Sequence, residues 1–289
     1  MNQNYDKYDV LIIDDGSTDS SLKLLKELPQ EDIIIQTQKN HGVSTTRNIA
    51  MQFALDHKYD AIAFLDADDY WQPDHLSSLL SLSINFPEAA VFATNYYLKR
   101  ARKTHSTKWS NFKDQSDQIL EYFFEHNFMS CVLSCSSIMI KTSAIEKIGF
   151  FNEQYTHFED IDWFIRIGME VPVAFSFKTT VTIDESAANR SDQVALKERT
   201  FPDFTKYKSN IPQHRGLEKY IDLNRFSIAL AYRMENDIKN AAIYQQQIDL
   251  HNLSLKQQRL LQMSRLQLKS LKRTQKILGN LGLHLRAGD

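Results

Sequence analysis

The chain has little of what several protein classes require. Its 289 residues include only two cysteines, Cys131 and Cys135, four apart and without histidine or cysteine partners at metal-binding spacing. That excludes a disulfide framework and a structural zinc site, and predicts two reduced core thiols in a cytoplasmic protein. No apolar run approaches the length that crosses a bilayer, and the polar start Met1-Asn2-Gln3-Asn4 is not a secretory signal. The formal net charge of -2 gives no reason to expect a nucleic-acid partner. There is no internal repeat and no low-complexity tract. What remains is a chain long enough for one α/β domain and an extension.

Strand-like and helix-like patterns alternate through the first hundred residues. A strand over 8–13 precedes a helix over 17–28, with Leu22, Leu25 and Leu28 at helical spacing. Ile33-Ile34-Ile35 reads as a short buried strand, and 43–57 as a helix with Val43, Ala50, Phe53 and Ala54 inward. Strand 60–65 follows, then a helix opened by Pro73, then strand 89–94. This rhythm predicts a mostly parallel sheet with helices on both faces, which binds ligands beyond the carboxyl ends of its strands. Residues 100–118 read as a loop. A helix near 117–127, strand 136–140, a short helix, a helix opened by Glu159-Asp160 and strands near 172–176 and 179–184 complete the α/β part. From about 190 the pattern is helical, which divides the chain into domains of 1–190 and 191–289.

Acids gather where strands end. The run Ala61-Ile62-Ala63-Phe64-Leu65 stops in Asp66, Asp68 and Asp69, and Val10-Leu11-Ile12-Ile13 stops in Asp14 and Asp15. Like charges crowd at a cost, so such clusters usually face a cation, and at strand ends a hard metal with bound phosphate is the common case. A calcium loop starting at Asp66 fails, because Trp71 stands where glycine is needed and Ser77 where glutamate is needed. A receiver-type phosphoacceptor scheme can be drawn through Asp14, Asp15, Asp66, Thr94 and Lys113. Asp68, Asp69, the Gly16-Ser17-Thr18-Asp19 turn and all of 130–185 speak against it.

Four elements in order carry a resemblance: Asp14-Asp15-Gly16-Ser17-Thr18-Asp19, Asn40-His41-Gly42-Val43-Ser44-Thr45-Thr46-Arg47-Asn48, Phe64-Leu65-Asp66-Ala67-Asp68-Asp69, and Glu159-Asp160 with Arg166. Over about residues 8–185 the chain resembles the family 2 glycosyltransferases of GT-A fold. The resemblance implies an inverting transfer of sugar from a nucleotide-diphosphate sugar to a glycan or lipid-linked acceptor hydroxyl in surface-glycan synthesis. Asp66-Ala67-Asp68 matches the family's Asp-X-Asp motif, with Asp68 the direct ligand of Mn2+ or Mg2+ and Asp66 a ribose or second metal contact. Asp14 and Asp15 would meet the nucleotide, Arg47 the diphosphate or base, and Asn48 would be a polar anchor. Asp160 would be the general base, with Glu159 touching donor or acceptor. Trp163 reads as core and His157 as a surface histidine.

Family members carry a further strand and helix before the Asp-Asp strand, whereas only residues 1–13 precede Asp14 here. That predicts an exposed strand edge and an incomplete base pocket. It also supports the alternative of a catalytically impaired sugar-nucleotide or partner binder of the same fold. Between Ser254 and Gly288 every charge is basic (Lys256, Arg259, Arg265, Lys269, Lys272, Arg273, Lys276 and Arg286), above a stripe of Leu261, Leu268, Leu271 and Leu278. This pattern predicts an amphipathic helix resting on anionic lipid, and so a peripheral hold on the inner face of the membrane.

Overall fold

The computed structural model describes residues 2–28, 33–100, 103–186 and 194–280, with side chains given as far as residue 274. The strands are β1 (Val10–Asp14), β2 (Ile33–Thr37), β3 (Ala61–Ala63), β4 (Tyr70–Trp71), β5 (Val91–Arg100), β6 (Lys103–Ser106), β7 (Gln118–Ile119), β8 (Ile138–Lys141) and β9 (Val173–Asp184). The helices are α1 (Ser21–Lys26), α2 (Val43–Asp56), α3 (His75–Asn85), α4 (Ile145–Ile148), α5 (Glu159–Glu170), α6 (Leu217–Met234), α7 (Ile238–Gln245), α8 (Leu255–Gln262) and α9 (Arg265–Asn280).

The α/β class holds, but the pairing corrects the expectation of a mostly parallel sheet. Among the described residues, parallel pairing is confined to β1 with β2 and β5 with β9. The other ladders, β3–β8, β5–β8, β4–β9, β5–β6 and β7–β9, are antiparallel. The main sheet runs β3-β8-β5-β9-β4, with β6 on β5 and β7 on β9, and β1–β2 form a separate two-stranded sheet. Strand β8 enters against its neighbours because it is reached through a long excursion over 107–137 rather than a helical crossover, and only a crossover forces parallel order.

Three local expectations change as well. Residues 103–106 form an edge strand rather than a loop. The stretch 117–127 is not a helix but β7 followed by a 3-10 turn over Phe123–Asn127. The two strands expected over 172–184 are one, with its irregularity where Asn95 bonds Thr179 and the carbonyl of Phe177.

The largest core lies between the main sheet and α5, with Trp163, Phe164, Ile165 and Ile167 fully buried and Leu217, Tyr220 and Ile221 of α6 closing its far side. A second core under α3 joins Leu79, Leu82, Phe92 and Met139. The apolar side chains of β1, β2 and α1 join none of the three clusters. β1 pairs only with β2 and β3 only with β8 among the described residues, so each shows one free edge. The helix α2 spans the interval, packing on both β1 and β3. Its inward residues are Ser44, Arg47, Met51 and Ala54, whereas Val43 is exposed, contrary to the periodic reading.

From 194 the described residues form coil and short 3-10 turns as far as Gln213 and become α-helical only from Leu217, later than expected; the boundary at 190 lies outside the described residues. Here the lipid-facing stripe is corrected: Leu261 and Leu268 are buried beside Phe226 and Ala229 of α6, and Leu271 packs on them. The side chains of Lys276, Leu278 and Arg286 lie outside the described ones. No described helix is long and apolar enough to cross a membrane.

Candidate active site

The acid turn after β3 is pinned from three sides. The backbone N–H of Asp66 donates to Ser136 Oγ at 3.0 Å, and that of Asp69 to the Asp66 carbonyl at 3.0 Å. Asp69 turns inward, where its Oδ1 accepts from the backbone N–H of Asp184 at 3.0 Å. Trp71 Nε1 fixes the Ser136 carbonyl at 2.6 Å. Asp66 and Asp68 are thereby left half-buried at the rim. Ser136 was not visible in the sequence, since its partner lies seventy positions away and nothing local marks it.

Burial pushes the Asp69 carboxyl up to about 6, against the bonds from Ser136 and Asp184 and helped by the charges of Asp66 and Asp68. The folded state therefore holds this proton better than the unfolded chain does. The resulting stability is complete below about 4 and is lost as pH rises through about 6. Asp69→Asn keeps an acceptor for Asp184 and carries no charge. At pH 8 it is expected to stabilise the fold by about 1–2 kcal/mol, with no gain at pH 4, as read by urea denaturation.

Arg47 is the hinge of the site. Its Nη2 donates to both Asp66 oxygens at 2.9 and 3.0 Å, and its Nη1 reaches Glu159 Oε1 at 3.4 Å. The side chain is 10% exposed, and the guanidinium lies 5.4 Å from the Phe151 ring centroid. Residues far apart in sequence, on α2, on the turn after β3 and at the start of α5, thus converge on one cation.

The neighbours of Arg47 set its place. Asp15 binds the start of α2 through the backbone N–H groups of His41 and Gly42, both at 2.8 Å, and through Gln38 Nε2 at 2.7 Å. Gly42 has φ +89 there, a backbone that suits glycine. Burial opposes the Asp15 charge, but these donors hold its carboxyl below the usual range. Asp14 is buried and accepts from the Ser17 N–H at 3.2 Å. Both acids therefore shape the loops beside the cleft and make no bond to Arg47. Asn48 is used within the protein: its carboxamide pairs with the N–H and C=O of Phe151 at 2.8 and 3.0 Å and reaches Glu153 at 2.8 Å. It ties α2 to the loop before α5.

At the start of α5, Phe158 takes a left-handed conformation with φ 62, and Glu159 and Asp160 follow in the first turn, where the helix dipole favours acids. Burial pushes the Glu159 carboxyl up to about 7, with Asp160 adding to the shift and Arg47 opposing it. Asp160 is raised as well, by burial first, with Arg47 and its bond from the Ile161 N–H opposing. Nearby, burial raises the thiols of Cys131 and Cys135 and the phenols of Tyr96 and Tyr220, and the charge of Asp160 adds to each shift. The two cysteines were read from the sequence only as core thiols, Tyr96 and Tyr220 were not singled out, and Tyr220 comes from α6. Trp163 is fully buried, as expected of core. His157 is also buried, correcting the surface reading.

The profile of the family described as Glycosyl transferase family 2 matches residues 1–149. The chain belongs to glycosyl transferase family 2. Among curated relatives, it is 28% identical over 154 residues to the Escherichia coli UDP-Glc:alpha-D-GlcNAc-diphosphoundecaprenol beta-1,3-glucosyltransferase WfaP, covering 52% of this chain and 55% of that one. It is 23% identical over 192 residues to the chondroitin synthase of Pasteurella multocida, covering 55% of this chain and 20% of that one. The chain thus spans about half the length, or less, of these relatives. Among solved structures, S. aureus TarS superposes with a TM-score of 0.61 at 17% identity, over 90% of this chain and 48% of that one. A shorter TarS fragment solved with UDP gives 0.54 at 15% identity, over 85% and 83%. The fold of this family 2 member is therefore GT-A, as the motif order implies. The receiver scheme falls with it, and Thr94 is instead buried in a cluster with His75 and Thr180.

Proposed function

We propose that this family 2 protein is an inverting glycosyltransferase that moves a sugar from a nucleotide-diphosphate sugar to an acceptor hydroxyl in surface-glycan synthesis. The observation that carries the reading is Arg47 joining Asp66 of the acid turn to Glu159, the neighbour of Asp160. This brings carboxylates and a fixed cation close to the half-buried Asp160, the residue the reading takes as base. The relatives' names point to UDP-sugars and to glycan or lipid-linked acceptors.

In this reading Asp160 takes the proton of the acceptor hydroxyl as that oxygen attacks the anomeric carbon. The bond to the diphosphate oxygen breaks on the opposite face, so configuration inverts, and the electron pair leaves with the diphosphate. A carboxylate with a raised pKa suits the task, because it is a stronger base than an exposed aspartate. Arg47 contributes a planar, permanently charged fork, which matches phosphate oxygens as well as carboxylates.

Asp66 and Asp68 would hold a divalent cation. Both are hard oxygen donors, and Mg2+ and Mn2+ commonly bind through one or two carboxylates together with substrate phosphates and water. The pair fits that pattern, although among the described residues no group of three or more such ligands assembles. Bound there, the cation would offset charge on the leaving diphosphate.

A panel of sugar nucleotides starting with UDP-glucose, tested by thermal shift with and without Mn2+, checks this directly. One donor is expected to raise Tm only with metal, by an amount equivalent to about 2–3 kcal/mol at a hundredfold excess over its Kd. Asp68→Ala should remove that gain. No shift with any donor and metal would instead favour the non-catalytic relative of the same fold, for which the free edges of β1 and β3 are the supporting observation.

A further inference from the structure

We infer that the segment over 200–207 fixes the catalytic base in place, with Asp162 as a positioning residue acting through α5. The inference rests on Asp160 being the base. Asp162 lies two residues further along the same helical turn, and its side chain is 1% exposed. A carboxylate buried so deeply must be compensated, and here it is. It accepts from Tyr207 Oη at 2.8 Å, pairs with Lys206 Nζ at 2.5 Å, and meets Arg166 Nε at 3.4 Å. Two of these three partners come from outside the α/β part.

The same segment grips the chain ahead of the base. Thr200 and Thr156 exchange bonds in both directions, Thr156 N–H to the Thr200 carbonyl at 3.1 Å and Thr200 N–H to Thr156 Oγ1 at 3.0 Å. The His157 N–H also reaches the Thr200 carbonyl, at 3.2 Å. Between these grips stands Phe158 in its left-handed conformation, its ring edge-on to Phe201 with centroids 5.6 Å apart. A bulky residue at positive φ persists only where its surroundings over-determine it. Residues 156–158 and 162 are thus clamped from 200–207, and Glu159 and Asp160 sit between the clamped points. Arg166 carries the arrangement onward: its guanidinium holds the carbonyls of Ile148 and Phe150, beside the Phe151 that pairs with Asn48.

Tyr207→Phe and Lys206→Met test this, since neither touches the reacting groups and the first changes no charge. Turnover with the donor selected by the panel above is expected to fall about tenfold or more, with KM for that donor within about twofold. Lys206→Arg should restore most of the loss. In both loss variants, amide hydrogen exchange over Glu159–Arg166 should speed up in the free protein. Unchanged turnover, or kcat and donor KM changing together in proportion to a fall in Tm, would overturn the inference. So would unaltered exchange over that helix, a measurement that needs no activity. If the unmodified chain transfers nothing from any donor, the functional reading fails, while the exchange result still decides whether the clamp orders the helix.

Discussion

Asp160→Asn is expected to lower kcat by about 100- to 10,000-fold while leaving donor affinity within a few-fold of the unmodified protein. The substitution keeps shape and a side-chain oxygen that accepts from the Ile161 N–H, so the turn at the start of α5 survives. What it removes, in the proposed mechanism, is the site for the acceptor's proton. Turnover measured beside the donor-induced thermal shift separates the two effects; loss of both together would speak for collapse of the turn.

The pH profile sharpens the test. Glu159 and Asp160 are adjacent, both raised by burial, and Glu159 reaches about 7. They titrate as a pair, and the base works only when deprotonated. Activity should therefore rise with pH along a limb above the ordinary carboxylate range. Glu159→Gln removes the neighbouring negative charge and leaves Arg47 free to favour the Asp160 anion. It should move that limb to lower pH. A limb that stays in place would argue that Glu159 does not set the base's environment.

Arg47→Ala should produce the largest combined loss of stability and donor binding. The guanidinium is the shared partner of Asp66 and Glu159, with one face on Phe151. Its removal strands the Glu159 carboxylate, whose side chain is only 12% exposed, beside Asp160. Breaking a buried pair from one side costs several kcal/mol, and the 38% exposure of Asp66 reduces that here. About 2–3 kcal/mol at pH 8 is the expected loss by denaturant titration, and it should shrink toward pH 5 as Glu159 takes up a proton. Donor binding should fall as well, in a way Arg47→Lys does not repair, because an ammonium cannot present two parallel donors. Equal stability losses at both pH values would contradict the electrostatic explanation.

The acid turn was legible in the sequence because three carboxylates within four residues stand out at the end of an apolar strand. Asp66, Arg47 and Glu159 do meet. The roles of their neighbours were less legible. Asp15 and Asn48 have the same side chains whether they touch a ligand or a loop, and no local pattern announces their bonds to His41, Gly42 and Phe151. Strand direction was hidden for a different reason. Ile138–Lys141 looks the same run either way, and its direction depends on the path of the preceding excursion. Lys103–Ser106 is a polar edge strand with no buried face to impose alternation. Phe123–Asn127 carries aromatics dense enough to suggest a helix, yet it closes only a 3-10 turn. Of the leucines in the final segment, Leu261 on α8 and Leu268 and Leu271 on α9 share one cluster with α6, so the single helix expected there is two, and nothing in the spacing says whether lipid or α6 covers them.

The interval bridged by α2 has a consequence for handling the molecule. Among the described residues Val10–Ile13 and Ala61–Ala63 each have one edge without a strand partner, and neither run carries a lysine or proline to discourage another chain from adding a strand. Colloidal behaviour in concentrated solution should therefore be governed by those few residues more than by overall charge, and a lysine placed on either rim would be the first remedy for precipitation.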